Sequence, residues 1–234
     1  MKSVAIAFNY VDFSDPKKKR RQEVAMDLLC RSPENIFPVA YTFLGDIYHD
    51  FGRIISYNIL ERNSAHTINN DRELPYVKEI LDDCAHHVPC PQKFPDVIGV
   101  INSDILLGQS FYDTIQSDTS AFVLSRYEIT DVDADSFLDG KFKVIYGGDS
   151  HPGADGFFFN RNWWIENENR FPKDCIMGET EWDTIYRSII RKYAKNHIEK
   201  RVLYHQYHDA KWKLDSPGAK NNIAIWEKIK RKCG

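Results

Sequence analysis

The sequence contains no apolar run approaching the ~18–20 residues that a membrane-spanning helix needs, so no such span is expected. It has only five cysteines, Cys30, Cys84, Cys90, Cys175 and Cys233, an odd and scattered set with no Cys-x-x-Cys pair. That spacing excludes a disulfide framework and argues against structural zinc; it predicts reduced thiols in a cytoplasmic protein. Neither charge sign is in surplus. Lys plus Arg number 31 and Asp plus Glu 34, a net charge of −3, which offers no bulk attraction for nucleic acid or an anionic membrane. There is no repeat, no low-complexity block and no Pro/Gly/Ser linker. Also missing are Gly-x-x-x-x-Gly-Lys-[Ser/Thr], Gly-x-Gly-x-x-Gly after the first apolar run, Gly-x-Ser-x-Gly and His-Glu-x-x-His, so P-loop ATPase, dinucleotide enzyme, serine hydrolase and zincin all lose ground.

What is present is ordinary in bulk. The 234 residues are 42% apolar and 28% charged, enough for a substantial core without staples. Residues 4–10 read as a first buried strand and not as a signal peptide. Pro16 suits the first position of a helix whose Val24, Ala25, Leu28 and Leu29 keep helical spacing. The basic run at residues 17–21 reads as its solvated start. A second strand is expected over 38–44, then a polar loop with a short helix over 46–74, and a helix from 74 to about 87. Residues 97–101 are apolar without alternation, the pattern of a strand covered on both faces. Further expectations are a short helix at 110–116, a strand at 121–126, an acidic loop at 130–141 and a Phe-rich strand at 156–160. A helix at 183–197, a strand at 202–205 and a helix at 219–232 complete the chain. Alternating strands and helices predict an α/β domain with a mostly parallel central sheet flanked by helices.

Four constellations carry the chemistry. Ligands of open α/β sheets bind beyond the carboxyl ends of strands, which singles out Asn102-Ser103-Asp104-Ile105 after the buried strand. Asp104 there can coordinate a hard cation, with Asn102 and Ser103 orienting it or holding a ribose hydroxyl. The segment Tyr204-His205-Gln206-Tyr207-His208-Asp209 sets two imidazoles and a carboxylate at another strand end, with Trp212 shortly after. His205 and His208 are candidate metal ligands and Asp209 a candidate orienting partner. Gly153-Ala154-Asp155-Gly156 leads into an aromatic strand, where small residues suit close approach of a ligand to the backbone at Asp155. Gly178-Glu179-Thr180-Glu181-Trp182-Asp183 precedes a helix, which makes Asp183 an N-cap, a general base, or both.

In this order the four segments resemble glycosyltransferases of the GT-A fold, and more narrowly a family-2-like group. That group carries Asn-[Ser/Ala]-Asp-Ile, Gly-x-Asp-x-Phe-x-Phe-x-Arg, Gly-x-x-x-Trp-Asp and His-Gln-x-His-Asp. Here these are residues 102–105, 153–161, 178–183 and 205–209. The resemblance implies one GT-A domain over 1–234, with a nucleotide-binding half at 1–105 and an acceptor and catalytic half at 106–234. It implies a nucleoside-diphosphate sugar donor, UDP-linked, with Mn²⁺ or Mg²⁺, and a glycan or glycoconjugate acceptor. Asn102-Ser103-Asp104 looks like the Asp-x-Asp metal motif with its first acid replaced by Asn. Asp104 would be a metal ligand, completed by His205 or His208. Phe8, Asn9 and Tyr10 would border the base and ribose, Asp46 would contact uracil, and Arg72 would meet a phosphate. Asp183 is the expected catalytic base, with Asp155 second or holding sugar hydroxyls. Trp182, and Trp163 or Trp164, would stack on sugar faces. Two other readings stand beside this one. A nucleotidyltransferase would be expected to show glycines after strand one, and Asn9-Tyr10-Val11-Asp12 has none. A non-catalytic nucleotide-sugar or carbohydrate-binding protein is kept open by Asn102.

Overall fold

Residues 4–9 are β-rich and wholly buried, and successive side chains of a strand face opposite sides. Ala5 and Ala7 therefore join one apolar cluster, while Val4, Ile6 and Phe8 join another. Two apolar faces on one strand demand cover on both sides, and the fold supplies it. The computed structural model describes residues 1–46, 52–70, 72–88, 94–146, 153–208 and 214–233. In chain order its elements are β1 (Val4–Asn9), α1 (Pro16–Cys30), β2 (Ile36–Phe43), β3 (Ile55–Leu60), α2 (Ser64–Ile68), α3 (Val77–His86), β4 (Val97–Ile101) and β5 (Ile105–Leu107). There follow α4 (Gln109–Ile115), β6 (Ala121–Ile129), α5 (Ala134–Leu138), β7 (Val144–Tyr146), β8 (Gly156–Asn160), α6 (Arg161–Asn167), α7 (Trp182–Tyr193), β9 (His197–Gln206) and α8 (Pro217–Cys233).

Among the described residues nine strands form one sheet in the order β3-β2-β1-β4-β8-β6-β9-β5, with β7 beside β6. β1 lies parallel to β2 and β4, and β2 parallel to β3. β8 runs antiparallel to both β4 and β6, and β9 runs parallel to β6. Hence β1 to β4, β6 and β9 share one direction, and their carboxyl ends lie along one edge. The expected α/β class with a mostly parallel, helix-flanked sheet is what forms. One face carries α3, α6 and α7 over Ala7, Val100, Phe157 and Phe159. The other carries α1 and α4 over Ile6, Val97, Phe122 and Phe158. The Phe157-Phe158-Phe159 run is thus divided between the two cores by strand alternation.

Several expected boundaries move. The segment 46–74 contains an edge strand, β3, which its Ile55, Tyr57 and Ile59 alternation already permitted. The acidic loop at 130–141 contains α5, whose first turn is held by Asp133 accepting from the Ser136 amide at 2.7 Å. The strand expected at 202–205 extends over ten residues as β9. The helix start at Pro16 is as expected. Asp15 caps it by accepting from the amides of Lys17 and Lys18, and Lys17 to Arg20 are exposed.

Gly99 has a definite packing reason. It sits opposite Phe158 in the β4–β8 pairing, and a Cβ there would lie 2.0 Å from the Phe158 ring. Gly99→Ala should therefore lower thermal stability through overpacking, by about 1–3 kcal/mol. For a chain of this size that is roughly 2–4 °C of melting temperature per kcal/mol. An unchanged melting curve would show that the sheet yields at this point.

Candidate active site

The chain passes from β1 out to β2 and β3, then returns across β1 to β4. Strand order reverses between β1 and β4, and ligands of open sheets settle at the carboxyl side of such a switch point. The second half of the chain reaches the same edge by curling. Three residues, Asn102, Ser103 and Asp104, join β4 to β5, although β8, β6 and β9 lie between them in the sheet. In a flat sheet that separation is about 19 Å at ~4.8 Å per strand. Four residue steps reach only about 14 Å, so the sheet must curl. The curl brings Asp104 against the end of β9, where Ile105 pairs with His205.

Nε2 of His205 lies 3.1 Å from Asp104 Oδ2, and Nε2 of His208 lies 3.4 Å from the same oxygen. The three potential ligand atoms all fall within 4.8 Å of one another. His205 is buried at 5% exposure, and its Nδ1 meets Glu128 Oε2 at 2.6 Å. Glu128 stands directly opposite His205 in the parallel β6–β9 pairing. Its other oxygen, Oε1, accepts from Arg126 Nε at 2.7 Å. The Arg126 guanidinium then reaches Asp155 Oδ1, which also accepts from the Asn102 amide at 3.2 Å. The line His208, Asp104, His205, Glu128, Arg126, Asp155, Asn102 is thus continuous, with acid and base alternating along most of its length.

The electrostatics follow from that alternation. Burial works to raise the Asp104 pKa, but the charge of His205 and hydrogen bonds from both histidines hold it well below the usual carboxylate range. Burial also works against a charged His205, yet Asp104 and Glu128 outweigh it and raise its pKa to about 9. Glu128 is lowered to about 2, the cost of its burial being overcome by His205 and Arg126. A carboxylate and two imidazoles are a nitrogen and oxygen donor set that fits a divalent transition ion such as Mn²⁺. Mg²⁺, which prefers oxygen ligands, fits it less well.

Asp155 is 4% exposed, and its Oδ2 has no hydrogen-bond partner among the described residues. Asp183 stands nearby in the chain of contacts: its Oδ2 accepts from the Ala154 amide at 3.2 Å and its Oδ1 from the Thr184 amide at 2.9 Å. Burial raises the Asp183 pKa; those amide donors pull it partly back, and the charge of Asp155 pushes it up again. Asp183 is not the N-cap. The helix opens at Trp182, after Glu181 in the left-handed region at φ 68°.

The other sequence candidates spread more widely. Asn9 and Tyr10 lie at the carboxyl end of β1 beside the switch point. The Asn9 side-chain amide donates to Tyr41 O at 3.0 Å, and the Tyr10 backbone amide does so at 2.9 Å. Asp46 is exposed after β2, closing a turn by accepting from the Phe43 amide at 3.0 Å. Arg72 is exposed and donates to Gly178 O at 3.3 Å, on the turn that leads to Asp183. Ser103 is half-buried in the β4–β5 turn. Phe8 does not face the edge; its ring is 1% exposed in the core under α1, because strand alternation turns it inward. Trp182 is no open platform either. It is 6% exposed and meets Phe157 edge-on at 5.3 Å. Trp163 lies past Asn160, at the end of β8 paired with Val97, so antiparallel pairing carries it away from Asp104. It stacks on Phe159 with an interplanar angle of 2°. Trp164 is fully buried. Beside Asp155, a Cβ on Gly156 would meet the Leu203, Phe158 and Ile101 side chains at 3.0–3.3 Å. Asp209 and Trp212 lie outside the described residues. Arg126 and Glu128 escaped sequence reasoning. Their signal was two opposite charges two residues apart, hence on one face, inside the mostly apolar run 121–129.

No protein-family model matches the chain, and no curated protein matches it in sequence. Solved structures do match. The glucosyl-3-phosphoglycerate synthase of M. tuberculosis aligns at a TM-score of 0.51 and 12% identity, over 100% of this chain and 81% of that one. The same enzyme from Mycobacterium tuberculosis with Mg²⁺ and uridine diphosphate aligns at 0.46 and 9%, over 100% and 80%. A mannosyltransferase from Pyrobaculum calidifontis, in complex with GDP-Man and Mn²⁺, aligns at 0.49 and 9%, over 99% of this chain. This chain spans 61% of that mannosyltransferase's length. With a sheet that reverses order at β1/β4, curls at its carboxyl edge and superposes along its whole length on the synthase, the chain has the GT-A fold.

Proposed function

We propose that the protein is a glycosyltransferase that uses Mn²⁺ and moves a sugar from a nucleoside diphosphate, UDP-linked, to an acceptor hydroxyl with inversion. The observation that carries this reading is the Asp104, His205 and His208 cluster at the carboxyl edge of a GT-A sheet. A divalent ion bound there would offset the charge that develops on a departing diphosphate. In this reading Asn9 and Tyr10, at the carboxyl end of β1, line the nucleoside and Ser103 meets the ribose. Asp46 and Arg72 are the outlying candidates for the base and a phosphate.

Asp183 is the better base of the two acids. A raised pKa suits proton uptake from a hydroxyl, and the Ala154 and Thr184 amides fix its orientation. Asp155 is clamped by Arg126 and Asn102 through Oδ1, which suits holding a substrate group and not proton transfer. Its buried, unpartnered Oδ2 is satisfied when a sugar or acceptor hydroxyl donates to it. Inversion follows from a single carboxylate base acting on the acceptor. A glycan or glycoconjugate acceptor and a cytoplasmic location belong to the same reading. Cys30, Cys84, Cys175 and Cys233 are free thiols, as a reducing compartment allows, while Cys90 lies outside the described residues. No helix among the described residues is long and apolar enough to cross a membrane.

Calorimetric titration with UDP, with and without Mn²⁺ and with GDP and CDP as controls, tests the donor class. UDP binding that needs Mn²⁺ is expected. Binding of no nucleotide under either condition would overturn the reading and favour a carbohydrate-binding role for the fold.

A further inference from the structure

A histidine binds a cation through one ring nitrogen only when the proton sits on the other, and the group facing that other nitrogen decides where the proton sits. At His205 the deciding group is Glu128. Its Oε2 lies 2.6 Å from Nδ1 while Oε1 is ion-paired with Arg126 at 2.7 Å, so it meets Nδ1 as a carboxylate, which can only accept. Glu128 is itself 6% exposed, and Arg126 Nε donates to Oε1, the oxygen that His205 does not use. Arg126 in turn is anchored by Asp155. Nothing in the sequence motifs involves Arg126 or Glu128. We propose that Glu128, oriented by Arg126, is the positioning residue that keeps a proton on Nδ1 of His205 and so presents Nε2 to a divalent cation. This rests on the reading of Asp104, His205 and His208 as a metal site.

The geometry makes an unusual demand on the near-isosteric variant Glu128→Gln. A guanidinium has no acceptor, so Arg126 draws the glutamine carbonyl oxygen toward itself. The glutamine NH₂ is then left facing Nδ1, where only an acceptor nitrogen is tolerated. The proton moves to Nε2, the atom meant for the cation. Glu128→Ala removes the acceptor without imposing a donor, so it should do less harm. Removing Arg126 as well, in Arg126→Met/Glu128→Gln, frees the glutamine to turn its carbonyl to Nδ1.

The experiment is Mn²⁺ affinity, by electron paramagnetic resonance of free Mn²⁺, on the full chain and these three variants, with melting temperatures beside it. Glu128→Gln is expected to weaken Mn²⁺ binding by about 10–100-fold, Glu128→Ala by less, and the double variant to recover part of the loss. Equal affinity for wild type and Glu128→Gln overturns the proposal. So does an Ala variant as weak as the Gln variant, or a double variant weaker than Glu128→Gln. If the wild type binds no Mn²⁺, the metal-site reading fails by itself. The ¹⁵N resonances of His205 in the metal-free protein then decide the positioning claim. A proton on Nδ1 in wild type and its loss in Glu128→Gln support it, and retention of that proton in the variant overturns it.

Discussion

Asp104→Ala is expected to abolish Mn²⁺-dependent UDP binding, with a loss in Mn²⁺ affinity above the ~100-fold upper figure typical of residues that act through a ligand. Asp104 is the member of the cluster that both imidazoles face, at 3.1 and 3.4 Å, and it supplies the cluster's negative charge. Without it, two imidazoles would have to hold the cation while His205 remained paired with Glu128 alone. The fold should survive. Asp104 stands at an edge with its side chain 27% exposed, and His205 retains its bond to Glu128. The test is titration of UDP into wild type and variant with and without Mn²⁺, alongside a thermal melt. A folded variant with unchanged Mn²⁺-dependent affinity would remove Asp104 from the metal site.

Asp183→Asn is expected to reduce kcat by roughly 10²–10⁴-fold, the usual worth of a general base, while leaving UDP affinity intact. Asparagine keeps the shape and can accept one of the two amides that Asp183 now holds, yet it cannot take a proton from an acceptor. The pH profile gives the second readout. In the proposed role Asp183 must be ionised, and its pKa lies above the ordinary carboxylate value because of burial and the nearby Asp155 charge. The rate should therefore fall on acidification at a pH higher than an unperturbed aspartate, near ~3.9, would produce. Asp155→Asn should instead weaken substrate binding, since that side chain is already clamped by Arg126. If Asp183→Asn transfers sugar at a near-normal rate and Asp155→Asn does not, the two roles are reversed.

Both experiments concern residues that were visible in the sequence, and their visibility has a physical cause. Asp104 and His208 follow strands, His205 stands near the end of one, Asp155 leads into one and Asp183 lies in the first turn of a helix, places where the chain enters or leaves the sheet and local pattern marks the change. The strands at 97–101 and 156–160 were legible because burial on two faces leaves a run without alternation, and the helix at 16 because proline fits a first helical turn and its apolar residues keep helical spacing. Residues 134–138 were obscured by an acidic composition, and the alternation of 55–60 by the polar residues on either side of so short a strand. The stacking roles given to Trp182 and Trp163 did not match their positions, since an aromatic beside a motif has the same composition whether it faces a cleft or a core.

The α/β class, the strand ends and the acids and histidines proposed for the site are all written in local stretches of the chain. Local burial and chain exits are encoded within a few residues, so periodicity reveals them. Which of these groups meet is set by contacts between distant parts of the chain. The three-residue passage from β4 to β5 forces the sheet to curl, and that curl, about a hundred residues apart in sequence, sets Asp104 against both His205 and His208. The pairing of β6 with β9 sets Glu128 behind His205 and links it through Arg126 to Asp155. Register between distant strands is a property of the whole sheet, because each partner's position depends on every strand packed between and around it.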